Sequence, residues 1–217
     1  MAALFPVGVQ AAELRGVGDP GQLFPEEREG KGRWADKRIR EFAAGRQCAR
    51  EALRRLGFGP APLLPLPDRR PDWPDGITGS ISHCADLACA VVASTDHVRS
   101  LGLDVEVFDA VDERLWPRIL STVEQSWLQS RPADERRVWA TAIFSAKEAF
   151  YKCQYPVTAQ WLGFEGAHVH LEHHGEPAGT FTIRVTSHKV TLQGHGRLSA
   201  EHVRTAIAWP CGYIPSA

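Results

Sequence analysis

Two long segments of the sequence have the periodicity of a helix with one buried face, and each precedes shorter runs typical of strands. In residues 34–56 the apolar side chains recur at spacings of three, four and seven, between Ile39 and Leu56. Residues 138–153 repeat this pattern. Apolar residues at these spacings predict two amphipathic helices. A chain that combines such helices with short antiparallel strands is predicted to have an α+β fold.

The runs typical of strands form two groups, one after each helix. Residues 87–94 and 98–108 are mainly apolar, and the short polar turn between them predicts a hairpin. After the second helix, β-branched runs predict an antiparallel sheet, and they lie at residues 168–171, 181–185, 189–192 and 202–208. We therefore expect two similar halves, residues 1–108 and 109–217, with a binding site at their junction.

Three other segments have weaker signals. Residues 1–33 are rich in Gly, Pro and charge, which predicts a loosely ordered lead-in. Residues 59–76 contain six prolines, which lack the N–H that a β-ladder needs, so a long surface loop is expected. Residues 115–128 predict one weaker amphipathic helix.

Composition and charge argue against several classes of protein. The 25 Lys and Arg nearly balance the 26 Asp and Glu, and this net charge of −1 is not typical of a nucleic-acid-binding protein. The five cysteines form no C-x-x-C pair, so we expect free thiols without a catalytic role, in a reducing compartment such as the cytoplasm. The first basic residue is Arg15 and no apolar run approaches about 18 residues, so neither a signal peptide nor a membrane span is expected.

Two acids share one face of the strand predicted at residues 98–108. Asp104 and Glu106 alternate with apolar residues, so both carboxylates point the same way. Like charges on one face repel each other unless water or a divalent cation lies between them. The spacing alone leaves two interpretations open, a solvent-exposed strand face and one part of a Mg²⁺ site.

The second predicted helix carries three charged residues, Lys147, Glu148 and Lys152, among large apolar neighbours. Glu148 and Lys152 are four residues apart and therefore lie one turn apart on the same side of the helix. An ordinary surface ion pair explains this spacing as well as a functional pair does.

Two further segments have residue types that suit a phosphate. Residues 28–55 hold ten Lys or Arg against four acids, and the planar fork of Arg is well matched to phosphate oxygens. A solvated helix face explains the same composition equally well. Residues 79–83 read GSISH, which offers two hydroxyls and an imidazole for an anion site, or forms a simple turn.

Four segments, in this order, resemble the signature of the 4′-phosphopantetheinyl transferases of the Sfp and EntD class. They are residues 45–53 (GRQCAREAL), 79–83 (GSISH), 101–106 (LGLDVE) and 144–152 (FSAKEAFYK). The G-x-D and K-E-x-x-x-K elements at this spacing are specific to the superfamily. Residues 73–76 (WPDG) and 161–164 (WLGF) resemble the actinobacterial branch of the class.

The resemblance implies an enzyme that transfers phosphopantetheine from coenzyme A to a serine hydroxyl of an acyl or peptidyl carrier protein and releases 3′,5′-ADP. It also implies a fold similar to a pseudo-dimer of two α+β halves, with coenzyme A in the cleft between them and Mg²⁺ as the cofactor. The expected role is the activation of carrier proteins for secondary metabolite biosynthesis. We expect a monomer that binds neither nucleic acid nor membranes.

The resemblance also assigns the metal ligands and the catalytic residues. The implied metal ligands are Asp104, Glu106 and Glu148. The implied catalytic residues are Glu148, Lys152, Glu106 and His83. Glu148, or a water that Glu106 holds at the metal, takes the serine proton, and Lys152 neutralises charge on the diphosphate.

A second set of residues is implied to bind coenzyme A. Arg38 and Arg46 match the positions that take the 3′-phosphate and the adenosine end, and either Arg69 or Arg70 contacts the phosphates from the loop. Glu124 matches a further family carboxylate whose role is not settled. The full set for coenzyme A is Arg38, Arg46, Arg69, Arg70, Ser82, His83, Lys147 and Lys152.

Two other functions stay open on the sequence alone. A Mg²⁺-dependent phosphodiesterase or nuclease that acts on another nucleotide uses the same carboxylates and basic helix. A non-catalytic module that binds a phosphate-containing ligand, a nucleic acid or a carrier protein accounts for the basic segment. Neither predicts residues 79–83 together with the G-x-D and K-E-x-x-x-K elements, so the transferase is favoured.

Overall fold

Two antiparallel sheets, each packed against one long helix, make up the fold in the computed structural model, which describes residues 1–173, 179–188 and 190–213. The helices are α1 (Pro25–Arg28), α2 (Asp36–Arg55), α3 (Trp116–Ile119), α4 (Thr122–Gln129) and α5 (Arg136–Thr158). The strands are β1 (Gln10–Arg15), β2 (Ile77–His83), β3 (Leu87–Ser94), β4 (Val98–Val107), β5 (His168–His173), β6 (Thr180–Thr186), β7 (Thr191–Leu198) and β8 (His202–Pro210). The strand order is β1-β3-β2 in one sheet and β4-β8-β7-β6-β5 in the other. No helix within the described ranges is long and apolar enough to cross a membrane.

Helix α2 covers the three-stranded sheet with a face of small side chains. Ala49 and Ala52 of the helix and Ala90 of β3 are fully buried in one cluster, which allows the helix and the sheet to pack closely. The helix predicted over residues 34–56 is confirmed. The surface loop predicted at residues 59–76 is also confirmed, since that segment contains one isolated β-bridge and no helix or strand.

The loosely ordered lead-in expected at residues 1–33 is wrong. Residues 10–15 form β1, the edge strand that pairs with β3, and α1 carries the fully buried Glu27. The Glu27 carboxylate accepts hydrogen bonds from Arg50 at 2.8 and 2.9 Å and from the Leu63 N–H at 2.9 Å. A short strand that is ordered by pairing with a distant strand has little periodicity of its own, so its local sequence does not reveal it.

The second helix-and-sheet unit consists of α5 and the five-stranded sheet. The helix predicted over residues 138–153 is confirmed and is longer at both ends, and the four β-branched runs are confirmed as β5 to β8. Lys189, the first residue of one predicted run, lies outside the described residues. Residues 115–128 form two helices instead of one, because the Ser121 hydroxyl accepts the Glu124 N–H and the Glu124 carboxylate accepts the Ser121 N–H, which starts a new helix.

Strands β3 and β4 do not form the predicted hairpin. β3 lies between β1 and β2, whereas β4 pairs with β8 as the edge strand of the other sheet. The chain therefore crosses from one sheet to the other at residues 95–97. This crossing does not coincide with the predicted division into residues 1–108 and 109–217, which stays a prediction.

Residues 79–83 belong to strand β2 and not to a simple turn, and β2 joins the two sheets along β4. The hydroxyls of Ser80 and Ser82 accept the backbone N–H groups of Leu103 and Val105 at 3.0 and 3.3 Å. Alternate residues of a strand face the same side, so both hydroxyls point toward β4. These bonds satisfy two buried backbone donors and align the two strands. We call this contact between β2 and β4 the seam.

Gly102 allows α5 to lie close to the seam. A Cβ atom at Gly102 would lie 1.8 Å from the carbonyl oxygen of Ala149 on α5. Gly102→Ala is therefore expected to push strand and helix apart and to lower the free energy of unfolding by at least about 2 kcal/mol. Chemical denaturation measures the change, with Gly32→Ala as the control, since no described atom lies within 4 Å of a Cβ there. Equal stability of the two variants would contradict the close packing.

Candidate active site

A cavity of about 570 Å³ opens beside the seam, where α2, the proline-rich segment and α5 meet. Residues of α2 and β2 and residues of α5 contribute to its wall, so the cavity lies between the two helix-and-sheet units. The charged, hydroxyl and aromatic residues that line it include Arg46, Trp73, Ser80, His83, Arg99, Lys152 and Tyr155.

Asp104 is buried at the seam, with 3% of its surface exposed. Its Oδ1 accepts hydrogen bonds from Lys152 Nζ at 2.7 Å and from Ser82 Oγ at 2.9 Å. Its Oδ2 is buried and has no hydrogen-bond partner among the described residues. A buried carboxylate oxygen without a donor is costly, so this atom fits the role of a cation ligand. The alternative of a solvent-exposed strand face is therefore wrong for Asp104.

Glu106 and Glu148 lie half-buried near Asp104, and the three carboxylates repel one another. Burial, followed by the charge of Asp104, raises the pKa of Glu106 to about 8, although Lys152 opposes this shift. Burial also raises the pKa of Glu148, where Lys152 opposes the shift and Asp104 adds to it. A set of carboxylate oxygens in which the like charges repel fits a hard divalent cation such as Mg²⁺.

The raised pKa of Glu106 makes the stability of the metal-free protein depend on pH. The pKa is about 8 in the folded protein against an ordinary value of 4.5, so the folded state binds more protons between these values. Stability should therefore fall as the pH rises from about 5 to 8, and Glu106→Gln should remove part of this fall. Thermal unfolding of both proteins in a chelator measures the difference. Parallel pH profiles would contradict the raised pKa.

Lys152 reaches across the seam from α5. Its Nζ donates to Asp104 Oδ1 at 2.7 Å, and to Ser82 Oγ and the Leu103 carbonyl oxygen at 3.1 Å each. The side chain is 28% exposed and lines the cavity. Its ion pair is thus with Asp104 and not with Glu148, so the interpretation of Glu148 and Lys152 as a surface ion pair is wrong.

Arg46 is the buried cation of the cavity wall. Its Nε donates to the Leu63 carbonyl oxygen at 2.7 Å, and its guanidinium lies 4.3 Å from the centroid of the Phe42 ring. Burial lowers the pKa of Arg46 to about 10, which leaves the side chain charged at neutral pH. The structure thus brings a fixed positive charge to the cavity.

Two adjacent arginines of the proline-rich segment also line the cavity. Arg69 has a left-handed backbone with φ of 73°. Arg70 forms an ion pair of 2.7 Å with Asp68, and its guanidinium lies 5.4 Å from the centroid of the Tyr155 ring. Both arginines are placed to contact a ligand, and the geometry does not choose between them.

Arg38 and His83 lie near each other on the α2 side, and of the two His83 lines the cavity whereas Arg38 does not. Arg38 is exposed, with its guanidinium 4.6 Å from the centroid of the Trp34 ring. His83 is accessible to solvent, but partial burial lowers its pKa, while Glu41 opposes this shift and the charges of Lys152 and Arg38 add to it. Two acids, Glu41 and Asp104, and two cations thus surround the imidazole, whose N–H can donate a hydrogen bond to an anion.

Lys147 is not part of the cavity. Its Nζ is buried and donates to Glu124 Oε2 at 2.8 Å and to the carbonyl oxygens of Ile119 and Phe164 at 2.8 and 2.9 Å. The other Glu124 oxygen accepts the Val169 N–H at 2.7 Å. The structure thus contradicts the expectation that Lys147 contacts coenzyme A, because all three ammonium protons are engaged elsewhere. Both residues join α4, α5 and β5.

Among the cavity residues that were not assigned from the sequence are Ser80, Tyr155 and Arg99. Ser80 has the same role in the seam as Ser82, and its position two residues earlier on the strand was the available signal. Tyr155 follows Lys152 by three residues, so it lies on the adjacent helical turn and faces the same cavity. Arg99 also lines the cavity, but nothing in its local sequence indicated this.

Comparison with known proteins identifies the family. The profile described as the 4′-phosphopantetheinyl transferase superfamily matches residues 100–208, and the profile of the 4′-phosphopantetheinyl transferase N-terminal domain matches residues 28–93. The chain therefore belongs to the 4′-phosphopantetheinyl transferase superfamily, and its α+β architecture with two antiparallel sheets is consistent with that fold.

Individual relatives agree with this assignment. The 4′-phosphopantetheinyl transferase PptT of Mycobacterium tuberculosis is 40% identical over 201 residues, which are 87% of this chain and 88% of that protein. Svp of Streptomyces mobaraensis is 40% identical over 164 residues, which are 75% of this chain and 65% of that protein. Enterobactin synthase component D of Escherichia coli K12 is 36% identical over 54% of each chain. The chain is accordingly an enzyme of the transferase class. This argues against the two alternative functions, a Mg²⁺-dependent phosphodiesterase or nuclease and a non-catalytic binding module.

Proposed function

We propose that the cavity beside the seam binds coenzyme A, and that Asp104, Glu106 and Glu148 hold Mg²⁺ while phosphopantetheine is transferred to a serine of a carrier protein. The observation that supports this most is Asp104 Oδ2, a buried oxygen without a donor, beside two carboxylates with raised pKa values. The cation, when bound, offsets negative charge on the pyrophosphate of coenzyme A.

The basic groups of the cavity bind the phosphates of coenzyme A. Arg46 supplies a buried charge, and Arg69 and Arg70 supply charges from the proline-rich segment. Arg38 and His83 receive the 3′-phosphate at the α2 side, where charge-assisted hydrogen bonds hold it in place. Lys147 has no part in this set.

Two side chains act on the reacting groups. The serine oxygen of the carrier forms a bond to the phosphorus that carries pantetheine, and the bond from that phosphorus to 3′,5′-ADP breaks. Lys152, held in place by Asp104 and Ser82, stabilises the charge that develops on the departing phosphate. Glu148 takes the serine proton, and a water held by Glu106 is the alternative acceptor.

Arg38→Ala tests the 3′-phosphate site. We expect the KM for coenzyme A to rise by about 10- to 100-fold, because a charge-assisted hydrogen bond is lost. The KM for 3′-dephospho-coenzyme A should change little. Arg54→Ala is the matched control on α2, since Arg54 pairs with Glu51 at the opposite end of the helix from Arg38. An equal effect of Arg38→Ala on both substrates would remove Arg38 from this site.

The release of 3′,5′-ADP distinguishes the transferase from a phosphodiesterase. Chromatography of a reaction with coenzyme A and Mg²⁺ should show 3′,5′-ADP only when an apo carrier protein is added, with one molecule formed per carrier modified. A phosphodiesterase would release the nucleotide without the carrier. Release that is independent of the carrier would overturn the proposal.

We further propose that the chain acts as a cytoplasmic monomer on acyl or peptidyl carrier proteins of secondary metabolism, without nucleic-acid or membrane partners. The near-neutral net charge and the five free cysteines support this setting. Sedimentation analysis of the purified protein tests the monomer, since a dimer would double the apparent mass.

A further inference from the structure

Three side chains capable of binding a metal meet at one end of the seam, outside the set of carboxylates described above. Cys84 and Asp86 belong to the turn between β2 and β3, and His202 is the first residue of β8. One possible ligand atom from each of the three lies within 4.8 Å of the other two. A movement of side chains by a few tenths of an ångström to about one ångström brings such atoms to the spacing of a tetrahedral site.

His202 is the buried member of this cluster. The residue is 1% exposed, and its Nε2 lies 2.8 Å from Asp86 Oδ1. Its Nδ1 is buried and has no hydrogen-bond partner within the described part of the chain, although Glu201 Oε2 lies 3.9 Å away. When Nε2 binds a metal, the imidazole proton must sit on Nδ1, and a nearby carboxylate is the usual acceptor for it. The orphaned nitrogen and Glu201 fit that arrangement.

The cluster is open on one side. The Asp86 side chain is 55% exposed and Cys84 is half-buried, so an ion can enter from solvent. Cys84 also lines a cavity of about 330 Å³ between the turn and α2. Zinc sites with an open coordination position have three protein ligands and one water. This cluster offers the same number of protein ligands and is accessible to water.

A Cys–His–Asp nucleophile is the other chemistry that these residues suggest. Such a nucleophile needs its thiol within hydrogen-bond reach of the imidazole. The free imidazole nitrogen of His202 has no sulfur partner among the described residues. The geometry therefore supports metal binding better than nucleophilic catalysis.

We propose that Cys84, Asp86 and His202 bind Zn²⁺, with water as the fourth ligand. A thiolate, an imidazole and one carboxylate form a ligand set that selects Zn²⁺ over Mg²⁺, whereas Asp104, Glu106 and Glu148 offer oxygen alone. The ion would tie the β2–β3 turn of one sheet to β8 of the other. Because Cys84 follows His83 directly, the same ion would fix the end of the strand that carries His83 into the active site.

Cobalt(II) tests the site through a signal that needs the thiolate. Metal-free protein titrated with Co²⁺ should develop a thiolate-to-cobalt charge-transfer absorption with a stoichiometry of one. Cys84→Ala should abolish this band, and Cys211→Ser, which changes an exposed cysteine outside the cluster, should retain it. Asp86→Asn should weaken Co²⁺ binding by about 100-fold or more, as expected for loss of a ligand. Added Zn²⁺ should displace the cobalt.

Alkylation of the wild-type protein tests the zinc site without relying on variants, which can fail to fold. Zn²⁺ should slow alkylation of Cys84 by at least about tenfold, measured by peptide mass spectrometry, and leave Cys211 equally reactive. The absence of the cobalt band, its persistence in Cys84→Ala, or alkylation of Cys84 that Zn²⁺ does not slow would each overturn the zinc site. None of these outcomes bears on phosphopantetheine transfer, which is measured separately.

Discussion

Asp104→Asn is expected to reduce the rate of phosphopantetheine transfer by about 1,000-fold or more, because it removes several kcal/mol of charge stabilisation at the reacting phosphates. Asparagine keeps the shape of the side chain and can still accept hydrogen bonds from Lys152 and Ser82 through its oxygen. What it loses is the charge on Oδ2, the buried oxygen without a partner. The protein should therefore fold but fail to use Mg²⁺.

Steady-state kinetics at increasing Mg²⁺ concentration measures this effect, together with far-UV circular dichroism to confirm folding. Asp134→Asn is a matched control, since Asp134 is exposed and lies outside the cavity. It should retain the wild-type rate. If Asp104→Asn kept more than a tenth of the wild-type rate at saturating Mg²⁺, Asp104 would not be a metal ligand.

Glu148→Gln and Lys152→Met are expected to lower turnover by about 100-fold each, for different reasons. Glu148→Gln removes a negative ligand and a base, so the Mg²⁺ concentration that gives half-maximal rate should rise. Lys152→Met removes a cation that is 2.7 Å from Asp104 Oδ1, so that concentration should stay the same or fall. The methionine preserves the apolar stem of the lysine.

Turnover measured against Mg²⁺ concentration separates these two effects. Glu165→Gln is a useful control for Glu148→Gln, because Glu165 is exposed and is not one of the residues that line the active-site cavity. Wild-type rates in both Glu148→Gln and Lys152→Met would show that neither side chain takes part in the transfer. The expectation for Lys152→Met assumes that Lys152 and Mg²⁺ compete for the Asp104 carboxylate. A higher Mg²⁺ requirement in this variant would contradict that competition.

The sequence predicts the elements whose signals are local. The apolar period of α2 and α5 and the β-branched runs of β5 to β8 gave these elements correctly, because each pattern repeats within one segment. β1 and the partner of β4 depend on strands distant in the chain, and a local pattern does not specify that pairing. The sequence does contain a signal for the break between α3 and α4, since Ser121 followed three residues later by Glu124 is a capping box.

The sequence indicates which charged residues the fold brings together better than it indicates their surroundings. Asp104, Glu106, Glu148 and Lys152 lie together near the cavity, but spacing alone allowed an exposed strand face and a surface ion pair. The burial of Asp104 follows from the seam, which needs Ser80 and Ser82 on one strand and Gly102 on another. The resemblance assigned Lys147 to coenzyme A, whereas its ammonium group pairs with Glu124, a residue distant in sequence that local patterns do not connect to it.

Intact-mass spectrometry of an apo carrier protein tests the central claim most directly. The carrier is incubated with the enzyme, coenzyme A and Mg²⁺, in parallel with a carrier whose acceptor serine is replaced by alanine. The account predicts that the first carrier gains the mass of one phosphopantetheine group, that the alanine carrier gains none, and that Asp104→Asn enzyme leaves both unchanged over the same time. Several acyl and peptidyl carrier proteins that all keep their apo mass with the wild-type enzyme would contradict it.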